Sequence, residues 1–172
     1  MANSVEETYS SAASQIRRFL MKGDFRSAAT KEVDGDTVNE KWFGQLLSSF
    51  VLMAARDEIV YAYTDFDSAH PGFKVVVFTK NRVLVATLTI DYDGSPAVQG
   101  VGRATLASMK VSTQYPTGQR GEYRHEWPGS LAVVLNYPGL SEPVELIVDG
   151  TAASVAHPSE VVGLVESLAA DL

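Results

Sequence analysis

Phe73-Lys-Val-Val-Val-Phe-Thr79, Lys80-Asn81, then Arg82-Val-Leu-Val-Ala-Thr-Leu-Thr-Ile90 is the stretch that decides the fold. Two runs rich in β-branched and aromatic residues flank a two-residue loop whose Asn81 tolerates positive φ, which predicts an antiparallel hairpin. Antiparallel sheets with one wet face alternate apolar and polar side chains. This hairpin does not, because Val75, Val76 and Val77 oppose Val83, Leu84 and Val85. Both of its faces therefore need cover, and the rest of the chain has to supply it.

The cover is found upstream. Trp42, Phe43, Leu46, Leu47, Phe50, Val51 and Ala54 recur at i, i+1, i+4, i+5 spacing, a wide apolar stripe on one helix. Thr37 and Glu40 before it, like Ser4 and Glu7 before the stretch Val5–Leu20, have the spacing of a capping box. The first helix is predicted to end at Gly23-Asp24, and Lys31 to Asp36 reads as a short hairpin-like connection. Burying one Leu- or Phe-sized side chain stabilises by about 1.5–3 kcal/mol, so docking the stripe on the sheet is strongly favoured. The stripe is wider than one contact requires, which makes Trp42, Phe43, Leu46, Leu47 and Phe50 candidates for a second surface, a homodimer seam. A helix lying on a membrane would want a cationic polar face, and here that face holds Asn39, Glu40, Gln45 and Ser48 with only Lys41.

Downstream and around the hairpin lie further strand candidates: Glu58–Thr64, Gly102–Val111, Glu122–Trp127, Leu131–Leu135 and Val144–Val148. Pro71-Gly72, Pro128-Gly129 and Pro138-Gly139 punctuate them. Pro158 then opens a helix with Val161, Leu164, Val165 and Leu168 on its apolar side. Seven strands in series closed by one helix, with the hairpin Val-Val-Val-Phe-Thr79-Lys-Asn-Arg82-Val-Leu-Val, resemble the bacterial pleckstrin-homology-like proteins. The resemblance covers about residues 57–172 and implies an α+β chain. The fold it implies is a seven-stranded antiparallel barrel or orthogonal sandwich with a C-terminal capping helix, and the N-terminal helical pair (residues 1–56), which is extra to the resemblance, is expected to pack on the sheet. It also implies that the first sheet holds the four strands up to Val111.

Composition sets the outer bounds. The 172 residues carry 14 Lys and Arg against 21 Asp and Glu, and the whole net charge of −7 falls after residue 56. That balance argues against a nucleic-acid partner, and Tyr61, Tyr63, Tyr92, Tyr115 and Tyr123 have no basic interleaving. With no cysteine there is no thiolate metal site, iron–sulfur cluster or cysteine nucleophile. No apolar run reaches the roughly 18 residues of a membrane helix, and the polar first 15 residues do not read as a signal peptide, so a cytoplasmic chain is expected.

Chemistry has few candidates. Tyr123, His125 and Trp127 alternate onto one face of a strand and could line a ligand pocket, His125 acting as a base or contact, although a hydrogen-bonded core histidine, or a surface one in the opposite register, is the commoner case. His70 and His157 precede prolines and read as turn and cap residues, so no metal spacing arises and no cofactor is expected. Asp91-Tyr-Asp93-Gly-Ser95 opens like a calcium loop but lacks Gly at the sixth position and Glu at the twelfth. Phosphoinositide-binding members of the resembled family place Lys and Arg in the loop between the first two strands. The matching Asp65–Gly72 has two carboxylates and no cation, with Lys74 alone behind it, so phosphoinositide and membrane binding are not expected. Two readings follow. One is a non-enzymatic interaction module of pleckstrin-homology-like fold that binds a protein partner or itself. The other is a small-molecule-binding protein or enzyme built as a nuclear-transport-factor-2-like α+β cone whose cavity is lined by Trp42, Phe43, Tyr123, His125 and Trp127.

Overall fold

The computed structural model describes residues 2–21, 23–33, 36–67, 72–89, 96–113, 130–148 and 158–172. The chain is α+β and divides into two compact units, Met1–Gly102 and Arg103–Leu172.

The first unit begins with α1 (Ala2–Leu20), α2 (Gly23–Ala29), the strands β1 (Thr30–Val33) and β2 (Asp36–Asn39), and α3 (Lys41–Ala54). A four-stranded antiparallel sheet follows, in the order β3 (Ile59–Asp67), β4 (Gly72–Thr79), β5 (Arg82–Thr89), β6 (Gln99–Gly102). The expected connection at Lys31–Asp36 is a two-stranded hairpin in its own right, with Val33 opposite Asp36. Two local expectations are corrected. The chain continues past Gly23 into α2, a third helix whose Phe25 sets its ring against Trp42, Phe43 and Phe73, at 5.1–5.9 Å between centroids. The residue preceding α3 is Glu40 in extended conformation without a side-chain cap bond, since Thr37 is committed to β2.

Pairing of β4 with β5 sets Val77 opposite Leu84, Val75 opposite Ala86 and Phe73 opposite Leu88. These residues form one core with Phe43, Leu46, Phe50, Val51 and Ala54 of α3 and Ile16 and Leu20 of α1. The doubly apolar hairpin thus gains its helical cover on this face. The other face carries Tyr61, Phe78 and Val83 in one row and Tyr63, Val76 and Val85 in the next, all but Val85 buried. Gly100 lies opposite Leu84, and a Cβ there would come within 2.9 Å of both Leu84 Cδ2 and Met53 Cε, so its lack of a side chain lets β6 close against α3.

The second unit opens with a 3-10 turn, Arg103–Thr105, and holds the antiparallel sheet β7 (Ser108–Thr113), β8 (Leu131–Asn136), β9 (Val144–Val148), followed by α4 (Pro158–Ala169). The run Gly102–Val111, expected as one strand of the first sheet, is split by that turn: β6 closes the four-stranded sheet and β7 belongs to the three-stranded one. Along β8 and β9, Leu131, Val133, Leu135, Val144, Leu146 and Val148 are buried while Asn136, Glu145 and Ile147 are exposed, the period-two alternation of a one-faced sheet.

Candidate functional site

Of the side chains singled out from sequence, Tyr123, His125 and Trp127 lie outside the described residues, as do His70, His157 and the Asp91–Ser95 loop. The interface candidates lie on α3. Phe43, Leu46 and Phe50 are 0% exposed in the core of the first unit, while Trp42 and Leu47 are partly buried against it. The apolar residue that α3 does turn outward is Leu52, 69% exposed.

The candidate site is a groove of about 380 Å³ in the first unit, between α1 and the turn that leads from α3 into β3. One wall is a polar stripe at helical spacing, Glu7, Ser11 and Gln15, with Ala12 beside it. The facing wall is Ala55-Arg-Asp-Glu-Ile59. Charge in the groove is uneven: Glu7, Asp57 and Glu58 against Arg56.

The facing wall is fixed by a tight turn. Ala55 has φ 56° and ψ −112°, and the Asp57 N–H donates to the Ala54 carbonyl at 3.0 Å. These are the dihedrals of the first central residue of a type II′ turn, a position glycine normally fills. Ala55 is the one non-glycine residue at positive φ among the described residues. Such a backbone costs of order 1–3 kcal/mol and persists only where its surroundings hold it.

What holds it is Asp57. Its carboxylate accepts from the Thr79 hydroxyl (2.6 Å), the Asn81 backbone N–H (3.1 Å) and the Asn81 side-chain amide (2.6 Å), twenty-odd residues along the chain. Thr79 Oγ1 in turn accepts from the Arg82 N–H at 2.9 Å, and the Arg82 guanidinium donates to the Met53 carbonyl at 2.6 Å. Partial burial pushes the Asp57 carboxyl up, but the bonds from Thr79 and Asn81 and the nearby Arg82 charge outweigh it, so it titrates below the usual carboxylate range. The Thr-x-x-Arg pattern of the hairpin is thereby explained as a clasp: it ties the β4–β5 turn to the end of α3 and the start of β3. Sequence alone showed Thr79 and Arg82. It gave no signal for Asp57, because only the folded register brings that residue to the turn.

A second polar cluster lies in the second unit. The Arg103 guanidinium, 5% exposed, pairs with Asp171 at 2.8–2.9 Å and donates to the Ser167 carbonyl (3.2 Å) and hydroxyl (3.0 Å). Tyr137 is buried with no hydrogen-bond partner for its hydroxyl among the described residues; burial pushes it up to about 12, the Arg103 charge opposing this and Asp171 adding to it, so the phenol stays neutral. Among the described residues no group of three His, Cys, Asp or Glu is placed to hold a metal ion, and no helix is long and apolar enough to cross a membrane.

Solved structures similar to this chain include two with pleckstrin-homology domains. A protein of the DUF1696 family with a pleckstrin-homology domain, from Shewanella loihica, is 16% identical, covering 63% of this chain and 78% of its own, with a TM-score of 0.32. The pleckstrin homology domain from Shewanella amazonensis is 13% identical, covering 85% and 95%, with a TM-score of 0.36. The hSac2 domain of the human phosphoinositide phosphatase Sac2 is 13% identical, covering 74% and 79%, with a TM-score of 0.42. No protein-family model and no curated protein matches the chain.

Proposed function

We propose that this chain is a non-enzymatic interaction module of pleckstrin-homology-like fold that associates with a second copy of itself through the exposed face of α1. The observation that carries this reading is the self-complementarity of that face. Glu7, Ser11, Ser14 and Arg18 recur at i, i+4, i+7 and i+11, all exposed, with a carboxylate at one end, two small hydroxyl residues in the middle and a guanidinium at the other. Two such helices related by a two-fold axis near the midpoint of the stripe run antiparallel. That sets Glu7 of each opposite Arg18 of the other, and Ser11 opposite Ser14. The groove is consistent with the same arrangement, because Glu7 on its α1 wall and Glu58 on the facing wall are carboxylates that a guanidinium from a second copy could pair with. Phe43, Leu46 and Phe50 take no part in it, being wholly committed to the core. One helix pair with a polar face sits at or below the roughly 1,200 Å² of a standard interface, so the association is weak and sensitive to salt.

Light scattering after gel filtration tests it. At tens to hundreds of micromolar and low salt, the mass rises above 18.6 kDa with concentration. Glu7→Arg and Arg18→Glu each return the chain to monomer, and the double exchange restores association. A mass of 18.6 kDa at every concentration, or a double exchange as monomeric as the single ones, overturns the reading.

A further inference from the structure

We infer that α4 is a conditional helix, whose C-terminal half holds together only while Arg103, at the other end of the second unit, caps it, so that the helix opens as a unit while the β-sheet stays folded. The argument starts from the sequence of α4. Its twelve residues, Pro158-Ser-Glu-Val-Val-Gly-Leu-Val-Glu-Ser-Leu-Ala169, include three valines, two serines and a glycine. All are mediocre or poor helix formers, and a helix of this length is marginal on its own. Gly163 stands in the middle, with nothing within 4 Å of where a Cβ would be, so no close approach requires it.

The C-terminal end has a further deficit. The last carbonyls of a helix carry partial negative charge and are stabilised by a nearby cation. The last turn of α4 contains no basic residue, and Asp171 follows close behind it. The missing cation comes from 64 residues away: Arg103 Nη2 donates to the Ser167 carbonyl and hydroxyl, while Nε and Nη2 hold the Asp171 carboxylate. One buried guanidinium thus bonds an end carbonyl and neutralises the adverse carboxylate together. Among the described residues, beside the buried apolar set Val161, Leu164 and Leu168 and the Asp171 N–H bond to the Leu168 carbonyl (3.0 Å), this is the interaction that favours helix at that end. Loss of it leaves a short valine-rich segment with an unopposed acid at its C-terminus. Opening bares the three apolar side chains, so the latch decides whether α4 shows them. Arg103 here is a positioning residue, acting through the helix end.

Native-state hydrogen exchange on the full chain tests this. In Arg103→Met, exchange of the α4 amides over residues 162–169 is expected to speed up at least tenfold, while amides of β8 and of β4 change less than threefold. Asp171→Asn and Ser167→Ala, which each remove part of the latch, shift α4 in the same direction by less, and serve if Arg103→Met does not fold. Two rescues separate capping from ordinary destabilisation. Gly163→Ala should slow α4 exchange about fivefold in both the native and the Arg103→Met backgrounds, the factor set by the propensity difference between the two residues. Ala169→Arg, at an exposed position of the last turn, should restore part of the lost protection. The inference is overturned if α4 exchange is unchanged in Arg103→Met, if α4 and β8 accelerate by the same factor, or if neither rescue acts on α4.

Discussion

Ala55 and Asp57 act against each other across two residues of chain. Ala55 carries the strain of a turn built for glycine, and the three hydrogen bonds on Asp57 keep that turn in place. Ala55→Gly should therefore stabilise the first unit by about 1 kcal/mol. Relief of a strain of order 1–3 kcal/mol is partly offset by the greater freedom of glycine in the unfolded chain. Urea unfolding followed by tryptophan fluorescence reads this, and a midpoint that falls would show that the turn is not strained. Asp57 makes a pH prediction with a definite sign. Its folded titration lies below the ordinary one, so its stabilisation is complete above about pH 4, the unfolded value. It is lost as pH falls through the lower folded value. The stability gap between the native chain and Asp57→Asn should be constant from about pH 5 to 7 and shrink on acidification below about pH 4. A gap that widens toward low pH would contradict the clasp.

Between elements, the packing of α3 on the β4–β5 face is the contact that the sequence announced most clearly. Its signal was local twice over: a stripe on one helix, and a hairpin with no polar face, each requiring the other. The rest was less legible for physical reasons. α2 is too short for periodicity to show, the Lys31–Asp36 stretch showed its hairpin character but not the full extent of its strands, and the break at Arg103 turns on a three-residue 3-10 turn within a run of strand-like residues. The candidate groove was not legible at all, since its walls come from α1 and from a turn whose shape depends on a clasp formed twenty-odd residues later. Two measurements check the packing. Gly100→Val should lose about 1–3 kcal/mol, because its side chain meets Leu84 and Met53 at once, while Gly100→Ala should lose less, the ends of both neighbours being able to give. Removal of residues 1–56 should bare Phe73, Val75, Val77, Leu84 and Leu88 together and leave the remainder aggregating. A soluble, cooperatively folding remainder would show that the face does not depend on its helices.

At the scale of the whole molecule, charge argues against a phosphate-seeking surface. The −7 falls entirely after residue 56, where fourteen acids face seven bases. Between Glu58 and Thr79 the sole cation is Lys74, and the strand register sets it directly opposite Asp65. A cation held beside a carboxylate contributes little to a phosphate, which is bound best by several donors converging with no anion among them. The bulk term is adverse as well, since anionic vesicles repel an acidic protein over about a Debye length, 8 Å at physiological salt. Both terms point the same way, so sedimentation with phosphoinositide-containing liposomes at 0.15 M salt should leave the protein in the supernatant. Lowering the salt should not bring it down, because weaker screening strengthens the repulsion as much as any attraction. The double reversal Asp65→Lys with Asp67→Lys provides the positive control: it places three lysines on neighbouring strand ends and should produce salt-sensitive retention on the same vesicles. Native protein that pellets with the liposomes, and more so as salt is lowered, would show that a cationic surface exists which neither the composition nor the strand register discloses.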